Sequence, residues 1–472
     1  MNPLMGLVTF AVILLFSLSP GSMPEVFAKS PPLPYVSSKM ETPQFWIDKI
    51  RNPTRLLLRP DQIQQMNDAI LKRTDLYLCR VKGLKVEWTR EELHDLLKED
   101  WQGFGETSEV RFGRDGRPLD PSYWRDLKRN INADEIRERN RISFGLIVKR
   151  TDIRVFPTDQ SSLYSPANSE FDRFQHSMIS PGSLVGIYHS SNDRHWIYLQ
   201  CGFIRGWVRR DAVAIATDRN APLQFEEARE RLLITGSFVS VFSDPSLKQE
   251  AFVAQMGSSF PLIRYPQNTG PGGANYTIRI PFREKDGLLD IRNGYIPKGG
   301  DVHPGFLDYT QANVAKQAFK MLHQPYGWGE LSGGRDCSRF IMDLFSSFGI
   351  VMPRNSKLQA QVGIDLAEVD GTTLREKEGI LDRAVPLATT LRLPGHIMLY
   401  LGKHKKRHYV IHSIWATQKE GRSGRVLERI DGGVVSDLSL GETGPNGSLL
   451  ERLTDIRFIG GEEDLEKVRK SP

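Results

Sequence analysis

The residues best able to do covalent chemistry lie in three short segments of the C-terminal third. The first is Gly333-Gly334-Arg335-Asp336-Cys337-Ser338-Arg339-Phe340. Behind it, Phe340, Ile341, Leu344, Phe345 and Phe348 recur at helical spacing, which predicts a helix with Cys337 in its first turn on the packed face. The helix dipole and free backbone N–H groups stabilise a thiolate at that position, so alkylation by iodoacetamide is expected well below about pH 8.5. A small buried core cysteine would satisfy the same spacing. The second and third segments are Pro394-Gly395-His396-Ile397-Met398 and Tyr409-Val410-Ile411-His412-Ser413. They flank the polar turn Lys403-His404-Lys405-Lys406-Arg407-His408, and together they predict a β-hairpin. His396 and His412 are each eight residues from His404, which makes them opposite or diagonal neighbours on one face. A thiol on a packed helix beside two imidazoles can act as nucleophile, base and orienting group, here Cys337, His396 and His412. The same three residues could instead hold zinc together with a water, although no local ligand spacing favours a metal. His404 and His408 read as solvated turn residues.

Such a constellation needs a rigid frame, and the chain supplies the elements of one. Tyr309 to Leu322 reads as a helix, Pro325-Tyr326-Gly327-Trp328-Gly329 as a turn, and strands follow Pro394, which is an α+β pattern. Upstream, short β-type runs alternate with turn residues. Gly206-Trp207-Val208-Arg209-Arg210-Asp211-Ala212-Val213 and Gly294-Tyr295-Ile296-Pro297-Lys298-Gly299-Gly300-Asp301-Val302 share an order of residue types, which suggests a degenerate repeat. Two SH3-like barrels are expected at 144–216 and 230–305. A charged helical region is expected at 29–143, including a capping box of Thr89 with Glu92. The fold class is multidomain α+β, with a C-terminal α+β domain over 306–472.

The 472 residues suffice for roughly three domains. A net charge of +6 is spread along the chain and reads mainly as solvated surface. It would suit a polyanionic envelope, and no nucleic-acid motif accompanies it, so nucleic acid is not an expected partner. Three cysteines are too few for a disulfide scaffold. Cys79 and Cys201 sit in apolar surroundings and read as buried structural thiols, which leaves Cys337. The apolar run Leu4 to Leu18, with Val26 and Ala28 at −3 and −1 before Lys29, reads as a secretory signal peptide over 1–28. The protein is then exported, to the periplasm or cell envelope. No Lys or Arg precedes Leu4, so an uncleaved anchor is the alternative and the one expected membrane contact.

Three blocks resemble the NlpC peptidases, a papain-like family: Pro325-Tyr326-Gly327-Trp328-Gly329 with Asp336-Cys337-Ser338, then Pro353-Arg354-Asn355-Ser356, then Gly395-His396-Ile397 followed by His412. The resemblance is close over 306–460. The barrels and the helical N-terminus are similar to family members with bacterial SH3 domains and a stabilising N-terminal segment. It implies hydrolysis of the bond between γ-D-glutamate and a diamino acid, usually meso-diaminopimelate, in peptidoglycan stem peptides or muropeptides. It implies no cofactor and no metal. It assigns Cys337, His396 and His412 as the triad, and Tyr326 as a hydrogen-bond donor in the oxyanion region. It assigns Asp336, Ser338 and Ser356 to the N-terminal amine of the substrate's L-Ala, and hence a preference for stems with that amine free. The first barrel is implied to add an acid, with Asp172 the candidate, and a tyrosine, where Phe203 or Ile204 stands instead. The alternatives are a non-catalytic envelope-binding protein and a papain-like acyl or amide transferase.

Overall fold

In the computed structural model, residues 32–263, 273, 275–299, 301–421, 424–463 and 465 are described. The expected signal peptide lies outside them. Helices begin where the sequence supplies caps. Thr89 accepts from the Glu92 N–H, and the Glu92 carboxylate accepts from the Thr89 N–H, opening the helix Arg90–Phe104. Asp120 caps Pro121–Ile131 in the same way, with proline at the first helical position. The N-terminal region is not one unit, however. Met40, Trp46, Leu57 and Ile70 join the core of the C-terminal domain, where Trp46 stacks at 5.4 Å on Tyr409. Leu93, Leu97, Trp124 and Leu127 instead join the core of the first barrel. A charged amphipathic helix signals that it has an apolar stripe, but not what covers that stripe.

Seven strands within 143–215 and seven within 231–304 form two antiparallel sheets. Counted along the chain, both run third–second–sixth–fifth–fourth–first–seventh. Equivalent positions also match. Trp207 on the sixth strand pairs with Arg154 on the second, and Tyr295 on the sixth pairs with Phe242 on the second. The preceding glycines are required by close approach: a Cβ on Gly206 would lie 2.6 Å from Ile153 Cγ2, and one on Gly294 would lie 2.6 Å from Ile280 Cγ2. The repeated Gly-aromatic-β-branched pattern therefore reflects one topology used twice.

The C-terminal sheet runs Ile364–Glu368, Asp455–Phe458, Thr389–Leu393, His396–His404, Arg407–Gly421, Gly424–Asp437. The helix Cys337–Ser346 packs on the two strands of the hairpin, His396–His404 and Arg407–Gly421. Phe340, Ile341, Leu344, Phe345 and Phe348 are all essentially inaccessible. Burying five such large side chains is worth roughly 1.5–3 kcal/mol apiece, which fixes the helix, and with it Cys337, against the hairpin. Among the described residues no helix is long and apolar enough to cross a membrane.

Candidate active site

Cys337 is the first residue of its helix, as the spacing predicted. Asp336 is the N-cap, and its carboxylate accepts from Arg339 N–H at 2.8 Å. The chain enters through a tight path in which Gly329, Glu330, Ser332 and Gly333 all have positive φ. Glycine is needed at 334, because a Cβ there would sit 2.6 Å from the Tyr326 carbonyl. Glu330 and Ser332 have no such excuse, and their left-handed backbone is held by the contacts around them. The thiol lies on the strand end that carries the histidines, with Sγ 4.0 Å from the Gly395 carbonyl oxygen.

The hairpin pairs Leu399 with Ile411 and closes through Lys405 and Lys406, with an irregularity between Tyr400 and Gly402. The extra residue shifts the register, so His396 and His412 are diagonal rather than directly opposite. Their ring nitrogens meet nonetheless: His396 Nε2 is 2.6 Å from His412 Nδ1. On the next strand, Ser436 Oγ lies 2.9 Å from His412 Nε2. A polar file therefore crosses three neighbouring strands, buried at its far end, with His412 and Ser436 all but inaccessible. His396 Nε2 and His412 Nδ1 are engaged with each other, and among the described residues no group of three His, Cys, Asp or Glu side chains is placed to hold a metal ion. His408 is not solvated as the turn composition suggested. It is buried, with Nδ1 2.8 Å from the Tyr400 hydroxyl, because the turn end of the hairpin lies against the C-terminus of the helix Leu374–Leu381, where the Leu381 carbonyl accepts from the Tyr400 hydroxyl.

Comparison with known proteins finds similarity over two parts of the chain. Residues 323–418 match the NlpC/P60 family, and residues 162–209 match the SH3 domain of the SH3b1 type. The chain carries an NlpC/P60 domain. Among solved structures, an NlpC/P60 endopeptidase from Photobacterium damselae subsp. piscicida superposes with a TM-score of 0.70 at 17% identity, covering 88% of this chain and 96% of that one. An NlpC/P60 family protein from Bacillus cereus gives a TM-score of 0.47 at 13% identity, covering 68% of this chain and 100% of that one. No curated protein matches by sequence. The family matches support a cell-wall cysteine peptidase with a peptidoglycan substrate.

Around the thiol of the NlpC/P60 domain, the other expected residues are placed unevenly. Tyr326 is half-buried, and burial, then the neighbouring charges of Cys337 and Asp336, push its phenol far up. It is a proton donor at any working pH. Asp336 accepts from Gly329 N–H at 3.1 Å, from Ser338 Oγ at 2.9 Å and from both terminal nitrogens of Arg354, at 3.1 and 2.8 Å. Ser338 Oγ is also engaged by Arg354, at 2.9 Å. The acidic cradle expected for an ammonium group is therefore already filled by a guanidinium. Ser356 opens the short helix Ser356–Gln359 and is half-buried. Asp172 is turned into the first barrel, where it pairs with Arg154 at 2.7 Å and caps Ser162 and Phe174 N–H groups. The barrel carboxylate that reaches the peptidase domain is Glu170, two residues earlier. It accepts from Trp415 Nε1 and pairs with Arg429 at 2.9 Å, while Phe171 packs on both Trp328 and Trp415. Phe203 packs against the peptidase core, its ring 5.9 Å from the Arg339 guanidinium.

Reading the sequence missed a buried ion network behind the nucleophile. Glu330 is inaccessible and takes Arg339 at 2.8 Å, Arg150 of the first barrel at 3.2 Å and Gln255 of the second barrel at 3.1 Å. Asp343 takes Arg335 at 2.7 Å and Arg339 at 2.6 Å. Arg354 lies 3.8 Å from Glu330 and connects it to Asp336. The one available signal was the density of Arg and Asp in and just before an otherwise apolar helix: Arg335, Asp336, Arg339 and Asp343.

Burial also reverses the electrostatic expectation for the nucleophile. It pushes the Cys337 thiol up to about 12, with the Asp336 charge adding to the rise and the Ile397 N–H only partly opposing it. It pushes His396 down to about 3, helped by the Arg452 charge and opposed by Asp336. The resting pair is therefore neutral thiol and neutral imidazole. Iodoacetamide should alkylate Cys337 slowly at pH 7, at a rate that keeps rising into the alkaline range. A rate that levels off below about pH 8.5 would show a thiolate–imidazolium pair already formed in the free protein.

Proposed function

We propose that the chain hydrolyses the γ-D-glutamyl–meso-diaminopimelate bond of peptidoglycan stem peptides, with Cys337 as nucleophile, His396 as base and His412 as orienting group. The observation that carries this reading is the 2.6 Å bond between His396 Nε2 and His412 Nδ1, at the strand end whose Gly395 carbonyl touches the thiol. With Nε2 engaged, the nitrogen of His396 left to take a proton is Nδ1. Ser436 Oγ accepts from His412 Nε2–H; His412 Nδ1 then accepts from His396 Nε2–H; and His396 Nδ1 keeps its lone pair for the thiol. Attack on the γ-carbonyl moves the Sγ proton to Nδ1, and the Tyr326 hydroxyl donates to the developing oxyanion. The imidazolium returns the proton to the leaving amine, and water then releases the glutamyl group from sulfur. In this reading, 144–216 and 230–305 are accessory barrels, and 306–472 is the catalytic unit.

The substrate's free amine is the part of the reading that the resemblance alone supplied. An ammonium at Asp336 would have to displace Arg354 from a bidentate pair, which is unfavourable in a buried site. Stems with a free L-Ala amine and stems linked to muramic acid are therefore expected to have kcat/KM values within about threefold of each other. Product analysis on both by mass spectrometry tests the whole reading. Free peptides cut at the γ-D-glutamyl bond support it, new amides would make the chain a transferase, and no product from either would leave a binding protein.

A further inference from the structure

Two buried carboxylates stand behind the nucleophile on different segments. Glu330 belongs to the loop that leads to Cys337, and Asp343 to the helix that Cys337 begins. Arg339 bridges the two from within the peptidase domain, through Glu330 Oε2 at 2.8 Å and Asp343 Oδ1 at 2.6 Å. The other oxygen of each is bridged from outside that domain. Gln255, the last residue of the second-barrel strand Glu250–Gln255, donates from Nε2 to Glu330 Oε1 at 3.1 Å and to Asp343 Oδ2 at 2.6 Å. Its Oε1 accepts from Arg150 Nε of the first barrel at 2.9 Å. Gln255 is inaccessible, and both its amide hydrogens and its carbonyl oxygen are used. Gly257 lets the barrel come this near: its φ is 84°, and a Cβ there would lie 2.6 Å from Ser346 Cβ on the nucleophile's helix.

The second barrel holds the same loop again at Arg335, whose terminal nitrogens donate to Ser237 Oγ at 2.9 Å and to the Ser237 carbonyl at 2.8 Å. The Arg335 backbone closes the loop: its N–H donates to the Pro325 carbonyl at 3.0 Å, and its carbonyl accepts from Gly327 N–H at 3.3 Å. Tyr326 sits between those two bonds, and Cys337 follows two residues after Arg335. The placement of the phenol against the thiol therefore depends on how the loop lies on the helix. We propose that Gln255 is a positioning residue for the reaction, tying loop to helix from the second barrel so that the Tyr326 hydroxyl meets the oxyanion formed at Cys337; this rests on the function proposed above. The amide is the group suited to that place. It donates to two carboxylates at once without adding a cation beside Arg150 or a third anion beside Glu330 and Asp343.

The test measures kcat and KM of the full chain on L-Ala-γ-D-Glu-meso-diaminopimelate, well below the melting transition, for the wild type, Gln255→Met, Tyr326→Phe and the double variant. Gln255→Met keeps the shape and removes all three hydrogen bonds. It should lower kcat about 10–100-fold with KM within about twofold, the mark of misplaced reacting groups rather than weaker binding. Tyr326→Phe should cost about 100-fold in the wild type but about tenfold or less beside Gln255→Met, because a misplaced phenol has less to lose. Gln255→Asn, an amide one methylene too short to span both carboxylates, should show the same non-additivity in milder form, and it carries the comparison if Gln255→Met does not fold. Losses that simply multiply in the double variant, a change confined to KM, or an unchanged kcat would overturn the assignment and make Gln255 a structural contact only. No hydrolysis by the wild type would overturn the proposed reaction, and the assignment with it.

Discussion

Cys337→Ala should lower kcat/KM on stem peptides by roughly 10⁴-fold or more, with the melting transition little changed. The side chain is small and its replacement leaves the helix packing of Phe340, Ile341 and Leu344 intact. His396→Ala should be about as damaging, because thiol and base act as one unit and losing either removes the proton transfer. The graded members are further along the file. His412→Gln keeps one group able to accept from His396 Nε2–H, and Ser436→Ala keeps both imidazoles but leaves His412 Nε2 without a buried partner. Both should retain more activity than His396→Ala, with Ser436→Ala the mildest. Steady-state kinetics on one defined stem peptide orders the four variants. Equal loss at 412 and 396 would mean that His412 does more than orient, and full activity in Cys337→Ala would remove the peptidase reading altogether.

Glu330→Ala should be the most destabilising single substitution in the site region, by about 3–5 kcal/mol, because it leaves Arg150, Arg339 and Arg354 buried around an absent charge. Urea unfolding of the full chain measures it. The same carboxylate predicts an acid limit. Burial pushes the Glu330 carboxyl up, but Arg339, Arg150, Arg354 and the Met178 N–H override that and hold it down at about 2, against an ordinary value of 4.5. A carboxyl whose folded value is depressed contributes stability that is complete above its unfolded value. Here it is lost as pH falls from about 4.5 toward 2. Wild-type stability should therefore decline through that window, and Glu330→Gln, which cannot titrate, should lack that part of the decline. Parallel curves for the two proteins would mean that the network carries no pH-dependent stability. Because Arg354 joins Glu330 to the helix cap Asp336, the alanine variant should also lose activity ahead of unfolding.

Local patterns decided a good deal on their own. The 3.6-residue recurrence of Phe340, Ile341, Leu344, Phe345 and Phe348 placed Cys337 at a helix start, since a helix with one apolar stripe can pack in one orientation only. Eight-residue symmetry about His404 put two imidazoles on one face, because strand side chains alternate with period two. The Gly-aromatic pattern at 206 and 294 announced a repeated topology, because each glycine makes room for an isoleucine side chain of another strand, Ile153 and Ile280. The first two are short-range constraints, written within about twenty residues, and the third is a likeness between two such short segments in different barrels.

What the tertiary structure alone decided involves partners far apart in the chain. Arg354 and Asp336 are neighbours in space but not in sequence, and their pairing fills a pocket that sequence motifs leave open. Glu170 rather than Asp172 faces the peptidase domain, a difference of two residues that depends on how one loop of the barrel closes. Burial did the rest. It turned a helix-start cysteine from an expected thiolate into a neutral thiol and moved His408 from solvent into the core. Spacing fixes direction along an element, whereas desolvation and long-range ion pairing depend on everything packed around it, and no local pattern contains that information.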